Sequence, residues 1–363
     1  MGKNVGILSM QKVLNYGSFL QAYALKQILL RNGADEVYFI DIKKGKALPG
    51  YKQMLFSRIR SVVKVFFKGD LLKKIEGHYF MKKVYASIES NFYFLEMDKQ
   101  HNVLDVVVIG SDEVFNCCQV SSWGYTLQLY GDIPNAQKII SYAGSFGHTS
   151  FEQLIELGID KEIGDTMKKM SAISVRDKHS FNIVEKIVGI VPQQHLDPVL
   201  IYGYRDEIQK GRISYPYKYM VVYTYHGRIK NKSEVQAIVN FAKSKKLKLV
   251  SIFCTYSWCD EAVIPTTPFD VLAWFKEADY VITDTFHGTI FSIITKSQFC
   301  VLIRDSNKEK LSSLLIQMNL TNRIAETPEL IKQVYDRFIE YSQVDQILES
   351  ERMKTSTYFA SNI

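Results

Sequence analysis

The chain has 363 residues, of which 47% are hydrophobic and 23% are charged, and its formal net charge is +7. This length exceeds one ordinary core, so we expect two domains with the composition of a soluble globular protein. No run of about eighteen apolar residues is present, which excludes a membrane-spanning helix, and the first residues lack the apolar region of a signal peptide. We therefore expect a cytoplasmic protein.

The first predicted elements form a β-α-β unit. Residues 5–9 have the apolar character of a buried strand, and the turn at 15–18 leads into a helix over 19–31. That helix ends at Asn32-Gly33, a common helix C-terminus, and a second strand follows over 37–42. This order is typical of an α/β protein.

The next predicted strands end in small or polar residues. Strands over 106–109, 139–143 and 172–175 each run into a turn of Gly, Ser, Asp or Arg residues, and a helix near 151–169 lies between the last two. The carboxyl ends of parallel strands meet at one edge of a sheet, where ligands usually bind. The repeated pattern therefore predicts a binding site at that edge.

A second set of elements follows residue 198. The sequence predicts strands over 219–224, 249–253, 281–283 and 299–303, and helices over 231–245, 269–278, 288–295 and about 328–353. The last helix does not indicate the domain on which it packs. We expect an α/β fold of two doubly wound, Rossmann-like domains that face a cleft. The predicted boundaries are 1–198, with a basic helical insertion at about 43–100, then 199–345, and a tail helix over 346–363.

Positive charge is concentrated between residues 43 and 83. This stretch holds twelve Lys or Arg residues against two acids, Asp70 and Glu76, and has apolar residues at helical spacing. One interpretation is a solvated helical face. The other is an amphipathic surface that contacts anionic lipid at the inner membrane face or a polyanionic substrate. No recognised nucleic-acid-binding motif accompanies the charge, so we expect no nucleic acid partner.

The turn at 284–289 joins an apolar strand to an apolar helix and contains His287. Free backbone N–H groups and the helix dipole favour an anion at such a helix N-terminus. A histidine beside them can exchange a proton near neutral pH. The alternative is a histidine that caps the helix or lies in the core.

Three other turns carry candidate site residues. Arg176 directly follows a buried strand, where a guanidinium suits a carboxylate or phosphate, or else an ion pair with Asp177 or the other domain. After the 106–109 strand, Asp112 is placed to accept a hydroxyl proton, with helix capping by Ser111 or Asp112 as the alternative. The polar residues of the 15–18 turn have the same alternative.

Six segments occur in the order seen in polysaccharide pyruvyl transferases, and the chain resembles that family. They are NYGSFLQAYAL, VVIGSDEVFN, SYAGSFG, ISVRDKHS, LDPVL and VITDTFHGTIFSII. The resemblance covers about residues 4–325 and excludes the basic 43–83 region and the tail. It implies a GT-B-like fold and transfer of the enolpyruvyl unit of phosphoenolpyruvate onto two hydroxyls of a sugar, which forms a cyclic pyruvate ketal and releases phosphate. The implied partners are phosphoenolpyruvate and a glycan or lipid-linked oligosaccharide acceptor of polysaccharide biosynthesis.

The resemblance also implies roles for individual residues. Arg176 matches the arginine expected to hold phosphoenolpyruvate, His287 the catalytic histidine, and Asp112 the acidic residue of the GSD turn. The remaining implied substrate-binding residues are Asn15, Tyr16, Gly17, Ser111, Thr285, Gly288 and Thr289.

One position departs from the family pattern. Members often carry an arginine two residues before the histidine, and here that residue is Thr285. A second cation must then come from elsewhere, and the candidates are Arg304, Lys310 and Arg323. Arg304 is our choice among them for the substrate-binding set.

The implied reaction needs both anionic groups of phosphoenolpyruvate to be neutralised. We expect Arg176 to bind one group and the helix N-terminus at Gly288-Thr289 to receive the other. His287 is the expected general acid/base, and Asp112 is the weaker candidate for activating the acceptor. These residues demand no metal or other cofactor, and the five cysteines form no CxxC pair that would indicate zinc.

Two competing functions remain open from sequence. One is a glycosyltransferase that uses a nucleotide sugar on the same architecture, with Tyr223, Tyr225 and Trp258 as contacts for its nucleotide. The other is a non-catalytic surface-binding protein that uses the basic 43–83 region.

Overall fold

The computed structural model of the chain describes residues 3–49, 71–97, 104–119 and 121–363. The basic region predicted over 43–83, and the wider insertion at about 43–100, lie partly outside these described residues. No helix within the described ranges combines the length and apolar character needed to cross a membrane.

The first domain is built on a six-stranded sheet. Its strands are β1 (Asn4–Leu8), β2 (Glu36–Phe39), β3 (Leu104–Asp112), β4 (Ala136–Gly144), β5 (Ser174–Val175) and β6 (Gln193–Gln194). They lie in the order β2-β1-β3-β4-β5-β6, and each neighbouring pair is parallel. The central strand β3 is buried along most of its length, which explains its continuous apolar sequence.

The second domain repeats this architecture. Its strands are β7 (Tyr219–Tyr223), β8 (Lys248–Ile252), β9 (Glu261–Val263), β10 (Tyr280–Thr283), β11 (Phe299–Leu302) and β12 (Ile324–Ala325). They lie in the order β12-β11-β10-β7-β8-β9, again with parallel neighbours. The predicted pair of doubly wound, Rossmann-like domains is confirmed.

Helices connect the strands of both sheets. They are α1 (Tyr16–Arg31), α2 (Leu71–Ser90), α3 (Phe151–Glu156), α4 (Asp160–Met167), α5 (Lys178–Val188), α6 (Pro198–Tyr202), α7 (Arg205–Lys210), α8 (Lys232–Ser244), α9 (Pro268–Glu277), α10 (Phe286–Ile294), α11 (Lys308–Gln317), α12 (Leu330–Asp336) and α13 (Tyr341–Asn362).

Two helices begin earlier than predicted because polar residues cap them. Helix α1 starts at Tyr16 rather than at residue 19, since the Asn15 side chain accepts a hydrogen bond from the Gly17 N–H. Helix α10 starts at Phe286 rather than at residue 288, since Thr285 is its cap. His287 therefore lies inside the first turn of a helix and not in the turn before it.

Two predicted helices are each divided in two. The helix predicted near 151–169 is broken at Gly158, whose φ of +65° ends α3 before α4 begins. The helix predicted over about 328–353 is likewise interrupted between α12 and α13. Periodicity alone does not reveal such breaks, because both halves carry apolar residues.

Helix α13 returns to the first domain and packs on its sheet. The Tyr358 hydroxyl donates to the Ser141 carbonyl at 2.6 Å. This helix begins at Tyr341, before the predicted boundary at 346. The Arg352 Nε atom of α13 also donates to the Ile201 carbonyl of α6 at 2.9 Å, so the two chain segments that cross between the domains are bonded to each other.

Candidate active site

The candidate site lies where the carboxyl ends of the two sheets face each other. Asp112 ends β3, Arg176 directly follows β5, and Asp197 lies between β6 and α6. His287 approaches them from the second domain, in the first turn of α10. The parallel order of both sheets places these turns at the cleft.

Arg176 is a buried cation held between two carboxylates. Its side chain is 5% exposed, and its Nη1 atom lies 2.9 Å from Asp197 Oδ2 and 3.5 Å from Asp112 Oδ1. Burial favours loss of the charge, but the nearby carboxylates more than compensate and raise the arginine pKa. The sequence suggested Asp177 as an ion partner, whereas Asp177 instead caps α5 through the Ser180 N–H.

His287 is packed against α1 and points toward the same carboxylates. A Cβ atom at Gly17 would lie 2.3 Å from His287 Nδ1, so only glycine leaves room for this ring position. The Nε2 atom is buried, lies 3.9 Å from Asp197 Oδ2, and has no hydrogen-bond partner among the described residues. Burial lowers the pKa of His287, and the opposing effect of Asp197 and Asp112 does not overcome it.

Asp112 is ionised and oriented by its neighbours. Burial alone would raise its pKa, but Arg176, His287 and a hydrogen bond from Ser18 lower it below the ordinary value. The Ser18 hydroxyl donates to Asp112 Oδ2 at 2.9 Å, while Oδ1 faces Arg176. The neighbouring Ser111 is fully buried, and its hydroxyl has no partner within the described part of the chain.

Other predicted site residues make hydrogen bonds that stabilise the turns around the site. The Tyr16 hydroxyl bonds to Ser87 of α2, which ties the first turn of α1 to the inserted helix. Thr285 accepts the Gly288 N–H through its side chain and the Thr289 N–H through its carbonyl. The prediction that the Gly288 and Thr289 amides contact an anion is therefore wrong, because both amides already donate to Thr285.

The three candidates for a second cation differ in position. Both terminal nitrogens of Arg304 donate to the Glu234 carboxylate at 2.9 Å, and its Nε donates to Asp284. Arg323 is fully buried and donates to the Arg337 carbonyl. Of the three candidates, Lys310 is the one that lies beside Arg176, where both line a small gap.

That gap lies between the domains and is narrow. It has a volume of about 10 Å³, with Asp197, Phe286 and Lys310 beside Arg176 in its lining. Lys310 reaches across it from α11 to Glu113 of the first domain, with 3.1 Å between Nζ and Oε1. This volume suits about one water molecule.

Two residues of this cluster, Asp197 and Phe286, are not among the predicted site residues. Asp197 lies in the LDPVL segment, where an acid followed by Pro198 is a recognisable helix start, and it caps α6. That signal was sufficient to place a carboxylate at the sheet edge. Phe286 gave no such signal, since its ring reads only as one apolar residue of α10.

A larger cavity lies beside His287. It has a volume of about 160 Å³ and is lined by polar residues of both domains and by apolar residues of α2. Asn15, Thr285, Tyr225 and His226 are among the polar lining residues. His287 lines this cavity, and its Nε2 lies 3.9 Å from Asp197 Oδ2 of the small gap.

Comparison with known families identifies the family of the chain. The family model described as polysaccharide pyruvyl transferase matches residues 15–306, which is most of the chain and includes every turn of the site. The chain belongs to the polysaccharide pyruvyl transferases. It is therefore an enzyme of that family, and membership implies a pyruvate donor and a glycan acceptor. A comparison with curated protein sequences finds no match.

Solved structures resemble this pyruvyl transferase in fold. UDP-GlcNAc 2-epimerase from Methanocaldococcus jannaschii has a TM-score of 0.50 at 9% identity, over 94% of this chain and 93% of that chain. The N-terminal domain of Candida albicans trehalose-6-phosphate phosphatase has a TM-score of 0.49 at 10% identity, over 99% and 98%. UDP-GlcNAc 2-epimerase from Neisseria meningitidis has a TM-score of 0.47 at 9% identity, over 97% and 94%. With the two parallel sheets, the first likeness confirms the predicted GT-B-like fold.

Proposed function

We propose that this pyruvyl transferase moves the enolpyruvyl group of phosphoenolpyruvate onto two hydroxyls of a glycan or lipid-linked glycan precursor, forming a pyruvate ketal and releasing phosphate. One observation carries the proposal. Arg176 and His287 come from opposite domains and meet at the single carboxylate of Asp197. A guanidinium and an imidazole at this spacing suit a small molecule that carries both carboxylate and phosphate groups.

Donor binding requires an exchange of anions at Arg176. Its contact with Asp112 is the longer of the two, 3.5 Å against 2.9 Å for Asp197. We infer that an anionic group of the donor takes the place of Asp112, while Asp197 keeps the guanidinium in position. Lys310 at the same gap supplies the second cation. Because the gap holds about one water molecule, the domains must separate there before phosphoenolpyruvate binds.

Binding of the donor also changes the protonation state of His287. His287 is neutral in the free enzyme because burial lowers its pKa. A bound phosphate and carboxylate bring negative charge close to the ring and raise that pKa, so His287 takes up a proton. The protonated imidazole then serves as a general acid toward the methylene carbon of the donor.

The reaction proceeds by an addition followed by a substitution. His287 gives its proton to the methylene carbon, the adjacent carbon becomes oxocarbenium-like, and the first acceptor hydroxyl adds to it. Asp112, freed from Arg176, accepts the proton of that hydroxyl. The second hydroxyl then closes the ring as the carbon–oxygen bond to phosphate breaks, and its proton leaves with phosphate.

The test is phosphate release from phosphoenolpyruvate in the presence of a panel of methyl glycosides, with mass spectrometry of the sugars. The expected product is heavier than the sugar by one pyruvate unit less one water. Binding of UDP- and GDP-sugars is measured in parallel. Tight binding of a nucleotide sugar, with no binding of phosphoenolpyruvate, would instead favour a glycosyltransferase.

A further inference from the structure

Helix α2 forms one wall of the cavity beside His287. Four of its side chains line that cavity, and they follow helical spacing on one face: Met81, Val84, Tyr85 and Ile88. Val84 and Ile88 are each 2% exposed and join the main hydrophobic core, whereas Met81 and Tyr85 stay partly open to the cavity. The inserted segment therefore contributes directly to the site.

This wall is attached to both domains. The Tyr16 hydroxyl of α1 and the Ser87 hydroxyl of α2 lie 3.3 Å apart, and Ser87 also donates to the Pro265 carbonyl of the second domain. Asn91, which follows α2, donates to Tyr16 at 3.0 Å and to the Thr266 carbonyl at 3.0 Å. These bonds fix the C-terminal part of α2 across the cleft.

The cavity has the size and polarity for one sugar ring. Its volume of about 160 Å³ limits the ligand to about one six-membered ring, since an engineered cavity of about 150 Å³ holds a single benzene. Its lining combines apolar side chains of α2 and Phe253 with polar groups of Asn15, Tyr225 and His287. A pyranose has the matching pair of surfaces, a C–H face and a rim of hydroxyls.

We propose that this cavity is the acceptor subsite, that it takes a single hexopyranose ring with its C–H face against Met81 and Tyr85, and that α2 thereby selects the acceptor sugar. The proposal rests on the proposed function only in calling the sugar the acceptor. A ring in this position contacts His287, whose Nε2 lies 3.9 Å from Asp197 Oδ2 of the donor gap, so the acceptor lies next to the donor.

Direct binding of sugars tests the subsite without turnover. The probes are the methyl α- and β-pyranosides of glucose, galactose, mannose and N-acetylglucosamine, observed by saturation-transfer NMR with the whole protein. Met81→Trp fills the cavity, and Ala86→Trp places the same side chain on the exposed face of α2. At least one glycoside should bind the parent and the Ala86→Trp variant, and Met81→Trp should abolish that binding.

A second variant guards against misfolding of Met81→Trp. Tyr85 is 45% exposed, so Tyr85→Ala leaves the core intact while it removes part of the apolar wall. It should weaken sugar binding by about tenfold or more. Equal binding by all variants, or binding of none of the probes to the parent, would overturn the subsite.

Phosphoenolpyruvate binding, measured on the same samples, separates the two proposals. Binding of phosphoenolpyruvate unchanged in Met81→Trp, together with loss of the sugar, supports both. Sugar binding that depends on α2, with no binding of phosphoenolpyruvate, supports the sugar subsite and contradicts the proposed function. Binding of phosphoenolpyruvate with no binding of any sugar supports the proposed function and contradicts the sugar subsite.

Discussion

The ring of Phe286 lies over the guanidinium of Arg176, with 4.3 Å between the arginine Cζ and the ring centroid. Arg176 belongs to the first domain and Phe286 to the second, so this contact closes the cleft at the gap assigned to the donor. A cation–π contact of this kind contributes about 0.5–2 kcal/mol. That amount is small enough to be given up when an anionic ligand reaches Arg176.

Replacing Arg176 by lysine should weaken donor binding while retaining the charge. Lysine lacks the planar fork that contacts two anions at once and the flat surface that stacks on Phe286. We expect the KM for phosphoenolpyruvate to rise about tenfold or more, with smaller loss of folding stability than in Arg176→Ala, which leaves two carboxylates unpaired. Initial-rate kinetics give the KM, and Arg212→Lys on the exposed surface is the matched control. An unchanged KM would remove Arg176 from donor binding.

Replacing His287 by glutamine should remove turnover and leave the fold intact. A positioned proton-transfer group contributes about 10²–10⁴ in rate. Nε2 of His287 has no partner among the described residues, so its loss breaks no structural hydrogen bond there. Phosphate release measures the rate, and circular dichroism measures the fold. The control is His179→Gln, a change of a partly exposed histidine. Ketal formation at near the parent rate would refute the assigned role.

Binding of phosphoenolpyruvate should be accompanied by proton uptake near neutral pH. Burial lowers the pKa of His287 in the free enzyme, and the donor's negative charge raises it in the complex. The uptake therefore occurs at pH values between these two pKa values. Calorimetry in buffers of different ionisation enthalpy measures it directly. His287→Gln should abolish the buffer dependence; its persistence would assign the proton to another group.

Gly17→Ala should disable the site by moving His287. The added Cβ atom would lie 2.3 Å from Nδ1 and 2.5 Å from Cγ of the ring, so the imidazole must shift. We expect kcat to fall about 10²-fold, as for other small misplacements of a reacting group. Gly77→Ala in α2, where the nearest atoms are 3.8 and 3.9 Å away, is the control and should retain activity. Equal activity in both variants would show that the ring tolerates the added atom.

The free energy of unfolding should fall as the pH decreases, because His195 is buried in its neutral form. Burial lowers the pKa of this fully enclosed histidine to about 3, against about 6.5 when unfolded. The unfolded chain therefore binds the extra proton first, and stability is lost as the pH falls below about 6.5. Between about pH 7 and about pH 5, His195 by itself should lower the free energy of unfolding by about 2 kcal/mol.

Denaturant unfolding at those two pH values measures the His195 effect. His195→Asn retains a polar atom for Ser174, whose hydroxyl lies 2.8 Å from Nδ1, and should reduce the pH dependence by that amount. His78→Asn, on an exposed histidine, should leave it unchanged. The same slope in both variants would place the acid sensitivity elsewhere.

Much of the fold was readable from the sequence because strand and helix patterns alternate with clear turns. The same patterns predict Arg176 and Asp112 at the carboxyl edge of the first sheet and His287 at the carboxyl edge of the second. The predicted starts of α1 and α10 are three and two residues late, because a polar side chain that caps a helix and one that binds a ligand have the same appearance in a turn sequence.

What the sequence did not reveal depends on packing between distant segments. Nothing in the spacing of Phe286 predicts that its ring covers Arg176 of the other domain. The role of α2 is also not readable from the sequence, since only the packing shows that Met81 and Tyr85 face the cleft while Lys82 and Lys83 are exposed. Both features require the relative placement of the two sheets.

The bond between Arg352 and the Ile201 carbonyl has a mechanical consequence. It joins the two crossing segments side by side, at α6 and α13, so these form one shared hinge instead of two independent linkers. Sliding of one segment along the other would break this bond, so we expect the domains to separate mainly by rotation about the pair. Each opening would return Phe286 to the same place over Arg176, so the geometry of the closed site is restored after every turnover.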